Sequence, residues 1–365
     1  MTTHRPHQRT PLPSAAGSTK TTGPRHARLA GTLLTALLVV GCHSTGVVPA
    51  GSVDAADHII RSSDRVEISR TELYAELAGA DVIYLGEKHD VMRHHELQLE
   101  VLEALIEMGR RPALGIESFS LPQSGPLMDY VGNAEPEADS LDAEAAEREA
   151  AERLRKRIAW GPSMDEAWSW YAPLLRFARR QGLPVFGADL PRSLRQRIGE
   201  RGIDGLSPVE KRLLFPSDFT DPDYEALMHV QIKAAHCGWG PPDYLDRMYQ
   251  TWIARNDAMS MAIAETLADR PGEPIVVILG AGHTLYDMAV YERVMHRRPG
   301  VRQVNLAFRE SASGTEPQAL RMRMMPVDET RVSPDHHYLW FTLTSDDSDE
   351  NPCARFLRDR PPAAE

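Results

Sequence analysis

Cysteine is scarce in this chain, with three in 365 residues, and a disulfide framework is therefore excluded as the source of its stability. Positive charge falls short of negative: Lys+Arg number 41 against Asp+Glu 52, a formal net charge of -11. That deficit argues against a general nucleic-acid binder. No Gly-x-Ser-x-Gly elbow occurs anywhere, so the commonest serine-hydrolase signature is missing. Extremes of composition are missing too. With 25% charged and 42% hydrophobic residues, the chain is neither collagen-like, nor a coiled coil, nor wholly disordered. Its length allows one large or two modest domains with a core that needs no staples.

Acid is entirely absent from residues 1–41, which carry five bases: Arg5, Arg9, Lys20, Arg25 and Arg28. An apolar run follows from Leu29 to Gly41, too short to span a bilayer comfortably but of the length and setting of a secretory signal. It ends in Val39-Val40-Gly41-Cys42, which resembles a bacterial lipobox. On that resemblance residues 1–41 are removed, and Cys42 becomes a mature N-terminus carrying acyl chains such as palmitate. The chain is then a membrane-anchored lipoprotein, and His43 in place of Asp after the cysteine implies the outer membrane in a two-membrane host. Without the leader the balance becomes 36 bases against 52 acids. Only Cys237 and Cys353 then remain, so at most one disulfide can form.

Residues 42–57 are small and polar, as a tether would be. From 58 to 345 the chain alternates short β-branched runs with helical patterns. Val82–Leu85, Ala113–Ile116, Pro184–Gly187, Ile275–Leu279, Gln303–Ala307 and Tyr338–Leu343 read as buried strands. Between the first two, Leu97, Val101, Leu102, Leu105 and Met108 recur at helical spacing. Strand, helix, strand in that order predicts right-handed βαβ units, and hence an α/β core of three layers around a parallel sheet. Glu135 to Arg157 reads as an inserted, solvated helix. Residues 206–270 read as a mostly helical lobe broken at Cys237-Gly238-Trp239-Gly240-Pro241-Pro242, and residues 346–365 as a frayed tail.

Polar residues fall in a telling place relative to the strands. Glu87, His89 and Asp90 follow the first, Glu117 ends the second, Asp189 follows the third and His283 follows Leu279-Gly280. In a parallel sheet those ends share the edge where open α/β folds place ligands. Glu87, His89, Glu117 and His283 could act as an acid/base set, or His89, Glu117 and His283 could ligate a divalent metal, or all could form a polar network tying strand ends together. Of His94 and His95, adjacent on a helix, at most one can face the crevice with His89. A second region, Met228 to Met259, offers His229, His236, Cys237, Trp239, Tyr244, Met248, Tyr249 and Trp252, residue types that ligate haem iron or pack on a porphyrin. Tyr244, Met248 and Trp252 form one helical stripe, a pattern that plain core packing also produces.

Gly86-Glu87-Lys88-His89-Asp90 with His94-His95, Gly115-Ile116-Glu117, the Trp168–Pro173 segment, Asp189-Leu190-Pro191-Arg192, His236-Cys237-Gly238, Arg255–Met259 and Leu279-Gly280-Ala281-Gly282-His283 together resemble the ChaN family. These are haem-binding bacterial lipoproteins in the superfamily of the Tiki proteases and erythromycin esterases. The resemblance runs from about residue 58 to 310. It implies a ChaN- or erythromycin-esterase-like core and haem binding at the cell surface for iron acquisition, with an outer-membrane haem receptor as partner. Two haems paired across a homodimer, with tyrosine as iron ligand, are also implied; Tyr244, Tyr249 and His236 are the candidates. The esterase and protease branches imply instead a hydrolase built on Glu87, His89, Glu117 and His283, by His/Glu or metal chemistry.

Overall fold

The computed structural model describes residues 57–133, 141–161, 165–217, 221–311, 324–326 and 332–343, with Cys353 and Arg358. The leader, its Cys42 and the tether to residue 56 lie outside them. So does the expected tail, apart from Cys353 and Arg358. The elements that build the sheet are β1 (His58–Arg61), β2 (Val66–Glu67), β3 (Val82–Glu87), β4 (Ala113–Ser120), β5 (Val185–Asp189), β6 (Ile275–Gly280), β7 (Gln303–Ser311) and, after the separate hairpin of β8 (Met324–Pro326) and β9 (Val332–Pro334), β10 (Tyr338–Leu343). Their order is β2-β1-β10-β7-β3-β6-β4-β5. All six expected strands are present, and they pair in parallel from β10 to β5. The sheet is nevertheless mixed: β1 and β2 add an antiparallel edge that no sequence pattern marked, because four and two residues are too few to show a period.

Helices cover both faces, as the three-layer reading requires. α1 (Arg70–Ala78) starts at a capping box in which Ser69 and Glu72 satisfy each other's backbone amides. On one face Ile83, Leu85, Leu114, Ile116, Val276 and Ile278 meet α2 (Met92–Glu107) through Leu97, Val101, Leu102 and Leu105, all fully buried. Met108 was expected to continue this stripe; it is instead the C-cap residue of α2 and exposed. α3 (Ser124–Gly132), α4 (Leu141–Arg157) and α5 (Asp165–Gln181) join the same layer. α4 is less solvated than its Ala/Glu/Arg composition suggests, since Ala150, Ala151 and Leu154 are buried against the core. The alternate residues Val82, Tyr84, Val277 and Leu279 point to the other face.

The helical lobe is present where expected. After α6 (Arg192–Arg201) it comprises α7 (Pro208–Lys211), α8 (Pro222–Ala235) and α9 (Pro242–Asp269). α8 is capped by Asp221, which accepts from the amides of Asp223 and Tyr224. α9, 28 residues long, serves two clusters. Its first half packs Leu245, and the half-buried Tyr244, Met248, Tyr249 and Trp252, on Tyr224, Met228 and Tyr286. Its second half lays Met259, Ala262 and Ile263 on the sheet beside Val290 and Val294 of α10 (Val290–Arg297). One rigid element therefore links the lobe to the strand ends.

Two ends of the domain are tied down. Asp57, last residue of the expected tether, is held by Arg70 at 2.7 Å and Arg93 at 2.9 Å. Cys353 is bridged to Cys237, between α8 and α9, across a sequence separation of 116. Closing a loop of that length stabilises a fold by up to about 4–5 kcal/mol in the chain-entropy account. The tail is thus fastened to the lobe at Cys353.

Candidate functional site

β3 and β6 are neighbours in the sheet, yet the helices that follow them, α2 and α10, lie on opposite faces. Divergence of that kind opens a crevice at the carboxyl ends of the two strands. β3, β6, β4 and β5 lie side by side there, and each end delivers a polar residue. Glu87, Glu117, Asp189 and His283 are 4%, 4%, 1% and 2% exposed. Buried charge of this density persists only if it is paired.

Pairing is nearly complete for the carboxylates. Glu87 Oε1 accepts from His89 Nδ1 and from the Tyr171 hydroxyl, each at 2.7 Å, and its Oε2 accepts from Gln98 Nε2 at 2.6 Å. Glu117 Oε2 accepts from the Gly280 amide at 2.6 Å, while Oε1 accepts from the Arg255 guanidinium. His283 Nε2 lies 3.4 Å and His89 Nε2 3.7 Å from that same Oε1. Asp189 accepts from Arg195 at 2.6 Å, Arg255 at 2.9 Å and the Leu190 amide at 2.7 Å. His283 is held from its other side, with Nδ1 2.5 Å from Asn256 Oδ1 and its ring stacked on Trp252 at 3.9 Å. The backbone cooperates: a Cβ at Gly280 would sit 3.1 Å from His89 Nε2, so glycine is what lets the imidazole approach β6.

The four expected crevice residues, Glu87, His89, Glu117 and His283, do converge. Asp90 does not join them; it is exposed beside Lys88. Of the two adjacent histidines His95 is the one turned toward the crevice, 3.3 Å from Glu87 Oε2 and stacked on Trp170, whereas His94 accepts from the Lys88 amide and packs on Phe308. Four participants went unassigned from sequence: Gln98, Tyr171, Arg195 and Asn256. Arg255, named there only as the first residue of the Arg255–Met259 motif, is the bridge between Glu117 and Asp189. One local signal existed for α9, an Arg-Asn-Asp triplet inside an otherwise apolar helix face, with Asn256 and Asp257 buried.

Electrostatics sort these groups. Burial works to raise the Glu117 carboxyl, but His283, Arg255 and His89 outweigh it and hold it well below the usual range. Burial likewise opposes, and His89 and His95 overcome, for Glu87, which is also lowered. Burial wins at Asp189, pushing it up in spite of Arg255 and Arg195, and at His283, pushing it down. His89 is different: burial lowers it, yet Glu87 and Glu117 carry it up to about 9. The crevice therefore holds a protonated, half-exposed imidazole between two ionised carboxylates, an arrangement able to donate a proton or a hydrogen bond.

A divalent ion finds no support at this place. Among the described residues no three His, Cys, Asp or Glu side chains are grouped to hold a metal. His89, Glu117 and His283 are close together, but the Glu117 oxygens are taken by Arg255 and Gly280. A guanidinium supplies the positive charge that a metal would bring.

Of the lobe's candidates, Tyr244 and Tyr249 lie on α9, the helix that reaches the crevice, whereas His236 caps the end of α8. Tyr244 packs edge-on against Trp239 at 5.3 Å and His236 at 5.8 Å, and His236 Nδ1 is hydrogen-bonded to the Ile232 carbonyl at 2.7 Å. Tyr249 faces His229 at 5.1 Å, and its phenol is pushed up to about 12 by burial and by Glu225. The stripe is half core and half surface, with Tyr244, Met248 and Trp252 each partly exposed.

Comparison with known proteins agrees with this architecture. Residues 73–294 match the family model described as haem-binding uptake, Tiki superfamily, ChaN. Among solved structures the fold is similar to ChaN of Campylobacter jejuni, whose structure is described as cofacial haem binding: TM-score 0.57, 16% identity, over 79% of this chain and 97% of that one. An erythromycin esterase in its open conformation aligns with TM-score 0.39 and 14% identity over 83% of this chain and 87% of the other. A chloroplast protein of Arabidopsis thaliana, RETICULATA-RELATED 5, is 25% identical over 80% of this chain, which spans 37% of that relative's length. With a family model matched across most of its folded part, the chain belongs to the ChaN haem-binding uptake family of the Tiki superfamily.

Proposed function

We propose that this chain is a haem-binding surface lipoprotein acting in iron or haem acquisition, with haem held on the first half of α9. The observation that carries this reading is the partly exposed patch of Tyr244, Met248 and Trp252 on a helix whose next turn enters the crevice. The donor set fits the group: a phenol as a hard donor for ferric iron, and aromatic and thioether surface for the porphyrin. Haem itself would supply the redox-active iron. Tyr244 is the first candidate ligand, because burial, and after it Glu225, oppose loss of the Tyr249 proton. His236 is third, its Nδ1 being engaged by a carbonyl. A homodimer and an outer-membrane haem receptor complete the proposal. Haemin titration followed by visible spectroscopy tests it: Tyr244→Phe is expected to abolish the tyrosinate band and weaken binding at least about tenfold, roughly 1.4 kcal/mol. Unchanged spectra in Tyr244→Phe, Tyr249→Phe and the double variant would sink the tyrosine assignment.

Anchoring is the second part of the proposal. The acid-free basic leader, the short apolar run and Val39-Val40-Gly41-Cys42 support lipidation at Cys42 and location in the outer membrane. The Cys237–Cys353 disulfide supports an oxidising, extracytoplasmic compartment. Cys42→Ala should accumulate as uncleaved precursor. Normal cleavage and membrane partitioning of that variant would refute the lipoprotein reading.

A further inference from the structure

Charge in the crevice is layered. The three carboxylates form its floor, with side chains 1% (Glu87), 5% (Glu117) and 1% (Asp189) exposed. The cations form its rim: His89 and Arg195 are 49% and 30% exposed, and Arg192, one turn before Arg195 on α6, is exposed. Every floor oxygen has a donor, as described above. The rim still has donors to spare. His89 Nε2 lies 3.7 Å from Glu117 Oε1, its nearest recorded acceptor, which is beyond hydrogen-bond distance. Arg195 gives only one of its nitrogens to Asp189, and its side chain is 30% exposed.

We propose that this rim is a binding site for a carboxylate or phosphate anion, gripped by Arg195 and Arg192 with His89 donating from the opposite side. The buried carboxylates act as the frame that holds Arg195 and His89 in place, and the planar guanidinium presents two parallel N–H groups to such an anion. Arg255 is too deeply engaged with Glu117 and Asp189 to take part directly. The inference does not rest on haem binding by the lobe. A free small anion and a propionate of haem carry the same chemistry, and the experiment separates them.

The test is calorimetric titration of the full chain with inorganic phosphate and, separately, acetate, on wild type, Arg195→Gln and Arg192→Gln, with thermal unfolding recorded for each. Arg192→Gln touches no floor carboxylate, so its fold serves as the control should Arg195→Gln unfold. Each variant is expected to weaken anion binding by about tenfold. Haemin titration in the presence of phosphate then assigns the source. If phosphate competes with haemin and both variants weaken haemin binding, the anion is a propionate. If haemin binding is indifferent while phosphate binding is lost, the site takes a separate ligand. Absence of binding by both anions up to about 10 mM, with haemin binding unchanged in the variants, overturns the proposal. So does anion binding that is equal in all three proteins.

Discussion

Arg255→Ala is expected to destabilise the protein by about 3–5 kcal/mol, the range found when one partner of a buried ion pair is removed. Arg255 bonds Asp189 through Nε and Glu117 through its terminal nitrogen, and both carboxylates are sealed from water. Its loss leaves two buried anions. Glu117 would keep the Gly280 amide and two imidazoles, and Asp189 would keep Arg195 and the Leu190 amide. Neither set replaces a guanidinium shared between them. A domain of ordinary stability has only about 5–15 kcal/mol in total, so the variant should show a much lower denaturant midpoint. Arg255→Lys should recover part of the loss, since one ammonium cannot fork to both carboxylates. The triple change of Arg255→Met, Glu117→Gln and Asp189→Asn should recover more, because it removes the charges together. An Arg255→Ala midpoint equal to wild type would show that the network contributes nothing to folding.

Gly187→Ala should be comparably severe, at about 3 kcal/mol or more. The residue lies inside β5, where a Cβ would stand 2.1 Å from the Ser120 carbonyl oxygen and 2.6 Å from its carbon. Those are backbone atoms of β4, so no side-chain rotation can make room. The contact arises because β4 and β5 lose register between Ile116 and Ser120, bringing the end of β4 over Gly187. Opening the strands would also carry Asp189, two residues on, away from Arg255. Unfolding should therefore be accompanied by loss of whatever the crevice binds. Retention of both stability and ligand binding in Gly187→Ala would mean that β4 and β5 can separate without cost.

How much of this was legible in sequence differs between fold and site. The six central strands could be read because each is a short, mainly apolar run with most of its residues buried, and burial on both faces is written locally. Glu87, His89, Glu117 and His283 could be placed together because a parallel sheet puts all strand exits on one edge. Met108 misled because periodicity does not say where a helix ends. The edge strands were missed because β1 is defined by its partner β10, about 280 residues away in sequence, and the two-residue β2 by β1.

Sequence alone therefore determined the α/β class and which strand ends carry chemistry, both of them properties of contiguous residues. Only the tertiary structure decided that Arg255 bridges Glu117 to Asp189, that Trp252 covers His283, that Cys353 returns to Cys237 and that cations rather than carboxylates face the solvent. The reason is physical: ion pairing, stacking and burial depend on distance in space. Glu117 and Arg255 are 138 residues apart along the chain, and nothing in either neighbourhood encodes the other until α9 is laid across the sheet.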